Sequence, residues 1–115
     1  SDSLKQAEEI ELKIQKTKDG PLLESNLMSS ILDIESKLRD DFKIVAEEAL
    51  AVSADRLNIK ILEGWEIYFD PAKDIDWQTT KLKAVLEEEI PAEKRENLQY
   101  IDLRFGNLAS YKYKR

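Results

Sequence analysis

Apolar and polar residues alternate from Tyr100 onward, with Tyr100, Asp102 and Arg104 on one side and Ile101, Leu103 and Phe105 on the other. A period of two marks a strand with one buried face and one wet face. Gly106 and Asn107 interrupt it; both tolerate positive φ, so a turn or bulge is expected there. A second extended run, rich in Tyr and Lys, follows over 108–114. If that last strand lies at a sheet edge, its free N–H and C=O groups form a docking rail for another chain.

Upstream, residues 1–8 read as a flexible polar lead-in or the end of a further upstream region, and 9–115 as a single α+β interaction domain. Ile10, Leu12 and Ile14 alternate with Glu9, Glu11, Lys13 and Gln15, which fits a strand; the Glu and Lys content also fits a helix. Turn chemistry occupies 17–21. Ser25 is placed to cap a helix whose stripe is Leu27, Ile31, Ile34 and Leu38, with Met28 and Leu32 beside it and Asp33, Glu35, Lys37 and Arg39 facing water. That helix should stop near Asp40 and Asp41. Residues 42–52 fit a strand with an irregularity near Glu47 and Glu48, although Ala and Glu there also fit a helix. A turn is expected at 53–55.

Residues 56–70 carry the clearest hairpin: Leu57, Ile59 and Ile61, a turn at Glu63–Gly64, then Trp65, Ile67 and Phe69. Asp74 is placed to cap a second helix with Ile75, Leu82, Val85, Leu86 and Ile90 inward and Trp77 in its first turn; Pro91 closes it. Residues 92–97 form a polar connector of about one helical turn. No internal repeat is evident. The expected fold is α+β: an antiparallel β-sheet of about five or six strands with two amphipathic helices packed on it.

The 115 residues amount to one domain, long enough to bury a core without a disulfide or metal. A net charge of −6 argues against a sequence-independent nucleic-acid binder, which needs a cationic face; only Lys112, Lys114 and Arg115 make the chain end basic. The chain has no Cys and no His, which removes thiolate catalysis, Cys or His zinc sites and Ser–His relays. Three glycines leave no glycine-rich phosphate loop. Asp70, Asp74 and Asp76 lack the spacing of a calcium loop and read as loop carboxylates and a helix cap. No catalytic residue, metal ligand or cofactor is assigned. No apolar run approaches the ~20 residues of a membrane span, so this segment is not expected to insert; a membrane anchor upstream of Ser1 is compatible with it.

Two groups near the end invite attention. Tyr111 and Tyr113 share one face of the last strand; they fit stacking on a base or sugar, and they fit the commoner core or interface role of strand tyrosines. Asp102 and Arg104 lie on one side of their strand, placed either as a same-face ion pair of little energetic weight or as a polar rim beside the docking edge.

The order Gly64-Trp65-Glu66-Ile67-Tyr68-Phe69-Asp70, a helix, then Tyr100-Ile101-Asp102-Leu103-Arg104-Phe105 resembles the carboxy-terminal β domain of the bacterial cell-division family FtsQ/DivIB. The resemblance implies a non-catalytic divisome scaffold. Its members carry a single transmembrane helix and a POTRA domain upstream, with the β domain on the extracytoplasmic face of the membrane at the septum. It also implies protein partners, FtsB/DivIC-like and FtsL-like division proteins, bound by strand addition at the last strand: here Leu108, Ala109, Ser110, Tyr111, Lys112, Tyr113 and Lys114. The competing readings are a small cytoplasmic protein-binding adaptor of unrelated function and an enzyme working with carboxylates alone.

Overall fold

The computed structural model describes residues 12–16 and 25–115. The lead-in at 1–8, the start of the first strand at 9–11 and the turn at 17–21 lie outside the described residues. Strand β1 (Lys13–Lys16) leads to helix α1 (Ser25–Phe42), then β2 (Ala46–Ser53), β3 (Arg56–Ile61) and β4 (Glu66–Phe69). Helix α2 (Ile75–Glu88) and a short 3₁₀ turn (Ala92–Asn97) return the chain to β5 (Leu98–Asp102) and β6 (Ser110–Tyr113).

The six strands form one sheet in sequence order, β1-β2-β3-β4-β5-β6. The sheet is mixed, which corrects the antiparallel expectation: β1 and β2 pair in parallel, as do β4 and β5, while the remaining neighbours are antiparallel. The reason is the helices. Parallel neighbours need a long crossover, which each helix supplies by carrying the chain back along the sheet, whereas the short turns between β2, β3 and β4 reverse the chain. Both crossovers step in the same direction across the sheet. The right-handed rule therefore puts α1 and α2 on one face, where Lys37 of α1 meets Asp76 of α2 at 3.2 Å.

That face holds the core. Ile31, Ile34 and Leu38 from α1 and Leu82, Val85 and Leu86 from α2 cover Leu57, Ile59, Ile61, Trp65, Ile67, Phe69, Leu98, Ile101 and Leu103 from the sheet. Leu32 is exposed, because it falls beside the stripe rather than on it. At the end of α1, Lys43 adopts φ 58° and the Ile44 N–H turns back to the Leu38 carbonyl at 2.9 Å, so the helix cannot continue into 44–52. The strand reading of 42–52 holds from Ala46 onward, with a register shift between Ala46 and Glu48, whereas Phe42 is the last residue of α1 and 43–45 link the helix to β2. Gly64, at φ 104°, makes the β3–β4 turn in a conformation that side chains resist.

The other face of the sheet is open and polar. A row of directly opposed residues crosses it: Lys13, Glu48, Lys60, Glu66, Tyr100 and Lys112. Opposite charges alternate through its first four members, which supports the pairing of the strands that carry them.

Candidate docking edge

β6 closes the sheet on one side; among the described residues no strand pairs with its outer edge. The backbone direction of each residue follows from one bond. The Lys114 N–H donates to the Asn97 carbonyl at 2.7 Å, toward β5. Successive residues of a strand point their N–H and C=O groups to alternate sides, and the one irregularity in this pair lies in β5, between Leu98 and Tyr100. Lys112 and Ser110 therefore also point toward β5, and Tyr111 and Tyr113 present their N–H and C=O groups outward.

The side chains divide differently. Tyr111 and Tyr113 lean onto the helical side, partly buried against the core with their rings edge to face at 5.7 Å. Ser110, Lys112 and Lys114 are exposed. The strand is shorter than the run 108–114: Leu108 is 80% exposed and precedes the ladder, and Ala109 packs on the core just before it.

The loop entering β6 is clamped from α2. Lys81, only 5% exposed, sends its ammonium to the carbonyls of Leu103 (2.6 Å), Gly106 (3.1 Å) and Phe105 (3.4 Å). Burial, followed by the charge of Lys73, pulls the Lys81 pKa below its usual 10.5. Lys73 adds a bond to the Arg104 carbonyl at 3.0 Å. Held this way, the chain leaves the sheet after Leu103, and Gly106 takes φ 68°. Phe105, expected on the buried side of a longer strand, is 62% exposed. Its ring instead lies 4.7 Å from the Arg104 guanidinium and 5.3 Å from the Lys73 ammonium.

Asp102 and Arg104 come together as the alternation placed them. The carboxylate accepts from the Arg104 backbone N–H (3.0 Å), Nε (3.0 Å) and a terminal guanidinium nitrogen (2.9 Å). Asp102 stands opposite Ser110, so the pair sits at the start of β6. Beside it on the open face, Tyr68 and Tyr100 stack at 5.0 Å, with the Arg56 guanidinium 4.6 Å from the Tyr68 ring.

Reasoning from periodicity missed Lys81 and Gln78, both buried on the inner side of α2. The Gln78 side chain accepts from the Asp70 N–H (2.8 Å) and donates to its carbonyl (2.9 Å), tying α2 to the end of β4. Asp74 caps α2 as expected, accepting from the N–H groups of Asp76 and Trp77.

Among the described residues, no cluster of His, Cys, Asp and Glu could hold a metal ion, and no helix is long and apolar enough to cross a membrane. No protein-family model matches the chain, and no curated protein matches its sequence.

Proposed function

We propose that this domain is a non-catalytic scaffold of the FtsQ/DivIB kind. On this reading it stands on the extracytoplasmic face of a bacterial membrane at the division septum. It binds FtsB/DivIC-like and FtsL-like division proteins by adding a strand of theirs to β6. The observation that carries this reading is the outer edge of β6, which no strand covers among the described residues and where Tyr111 and Tyr113 offer backbone N–H and C=O groups beside half-buried aromatic rings. Such an edge supplies main-chain bonds for affinity and side-chain contacts for choice of partner. The motif Tyr100-Ile101-Asp102-Leu103-Arg104-Phe105 supports the family assignment. The proposed contact set is Leu108, Ala109, Ser110, Tyr111, Lys112, Tyr113 and Lys114, with Asp102 and Arg104 as the rim. The basic side chains of Lys112, Lys114 and Arg115 suit an acidic partner.

The test is titration of this domain with a peptide from the membrane-distal part of the cognate FtsB/DivIC-like protein. Tyr113→Pro removes an outward N–H without touching the β5 ladder, and Tyr113→Ala keeps that N–H while deleting the ring. We expect binding by the intact chain, at least tenfold weaker binding by folded Tyr113→Pro, and a smaller loss in Tyr113→Ala. A chain ending at Asn107 should not bind, but it also loses two core-packed tyrosines, so the proline variant decides. Unaltered binding by folded Tyr113→Pro overturns the site. No binding by the intact chain at high micromolar peptide overturns the division assignment.

A further inference from the structure

The sheet is built twice. β1–α1–β2–β3 and β4–α2–β5–β6 share one connectivity: a parallel crossover through a helix, then an antiparallel neighbour. The register repeats as well. In β2, Glu47 is an extra residue between Ala46, opposite Ile61, and Glu48, opposite Lys60. In β5, Gln99 is an extra residue between Leu98, opposite Tyr113, and Tyr100, opposite Lys112. Beyond each bulge the same bond recurs: Leu62 N–H to Val45 carbonyl at 2.9 Å, and Lys114 N–H to Asn97 carbonyl at 2.7 Å. Matching bulges fix the correspondence without ambiguity, because a one-residue slip would turn every side chain to the other face. Ile59, Lys60 and Ile61 of β3 thus correspond to Tyr111, Lys112 and Tyr113 of β6.

β3 already has the neighbour that β6 lacks among the described residues. β4 lies antiparallel to it, with Ile67 opposite Ile59 and Glu66 opposite Lys60. The Ile61 N–H donates to the Trp65 carbonyl at 3.0 Å, which fixes the outward direction of the equivalent Tyr113 N–H by example.

We propose that the strand accepted by β6 is antiparallel and repeats the pattern of β4: an acidic residue opposite Lys112, flanked by large apolar residues opposite Tyr111 and Tyr113. This rests on the strand-addition reading above and adds the partner's orientation and chemistry. It also disfavours one particular partner, a second copy of this chain. β1 is the counterpart of β4, since Ile14 stands opposite Ala49 as Ile67 stands opposite Ile101. A second copy docking β1 on β6 would set Lys13 where Glu66 sits, directly against Lys112. Like charges across a strand pair oppose it, so the two edges of this sheet discourage the head-to-tail chain of copies that a repeated sheet otherwise invites.

The probe is a labelled peptide carrying residues 64–70 between solubilising flanks, and the same peptide with Glu66→Lys, titrated against the intact chain and Lys112→Glu. Lys112 is exposed, so the variant should fold. We expect the intact chain to favour the glutamate peptide by on the order of tenfold, and Lys112→Glu to reverse the order. A spin label at either end of the peptide should broaden signals of β6 as an antiparallel strand requires. Equal affinity for the two peptides, an unreversed order in Lys112→Glu, or a parallel orientation overturns the proposal while leaving strand addition standing. Binding that leaves the Tyr111 and Tyr113 amides unprotected overturns strand addition itself. Head-to-tail oligomers of the intact chain in sedimentation overturn the exclusion of a second copy.

Discussion

Asp102 is held by the residue two positions on. Burial is the largest single influence on its carboxyl and raises the pKa. The side-chain and backbone hydrogen bonds from Arg104, with the charges of Arg104 and Arg56, together outweigh it and hold the group below the usual 3.8. A depressed folded-state pKa stabilises the fold above the unfolded value, and the contribution is lost as pH falls through the lower folded value. Asp102→Asn should therefore cost about 1–3 kcal/mol at neutral pH and little in strong acid, flattening the acid limb of urea midpoint against pH. An equal loss at both ends would contradict this. The pairing itself was legible, because alternation put both residues on one side. Phe105 was not: alternation counts it inward, but the loop bonds that pull the chain off the sheet after Leu103 come from a helix far away in sequence.

At the scale of elements, the same helix explains what was legible and what was not. The spacing of Leu82, Val85 and Leu86 identifies an amphipathic α2 and its inner face. It cannot identify Gln78 and Lys81, since a buried polar residue looks like a solvent-facing one until its partners are known. Lys81 has backbone carbonyls for partners, and these belong to the loop that delivers β6. Lys81→Met should leave those carbonyls without their donor, lowering stability by about 1–3 kcal/mol in urea unfolding. Amide exchange over 103–110 should quicken while that of β2 and β3 changes only with global stability. Uniform acceleration across the sheet would mean that α2 does not hold the loop specifically. The strand at Ala46–Ser53 was ambiguous in sequence because its inward residues, Ala46, Ala49 and Ala51, are also helix formers. The structure resolves it through the left-handed residue that ends α1.

For the whole molecule, the order of elements is legible in the sequence and the direction of the strands is not. A helix between two strands permits a parallel pair, but which strands become neighbours depends on packing that alternation does not encode. The duplication was hidden for a different reason. Equivalent core positions differ in size: Ala46, Ala49 and Ala51 in β2 match Leu98 and Ile101 in β5 and Leu103 just beyond it. Backbone register preserves what side chains have lost. The same comparison places β6 where β3 would be if β4 were removed, and that is the central claim about what this domain does.

The most direct measurement is residue-resolved amide exchange of β6 with and without the partner-derived peptide. In the free domain the Lys112 and Lys114 amides should exchange slowly, bonded toward β5, while Tyr111 and Tyr113 exchange quickly. Saturating peptide should slow Tyr111 and Tyr113 by at least about tenfold and leave the relative order of Lys112 and Lys114 unchanged. Peptide binding that protects residues of β1 or the open face, with Tyr111 and Tyr113 still fast, would contradict the account.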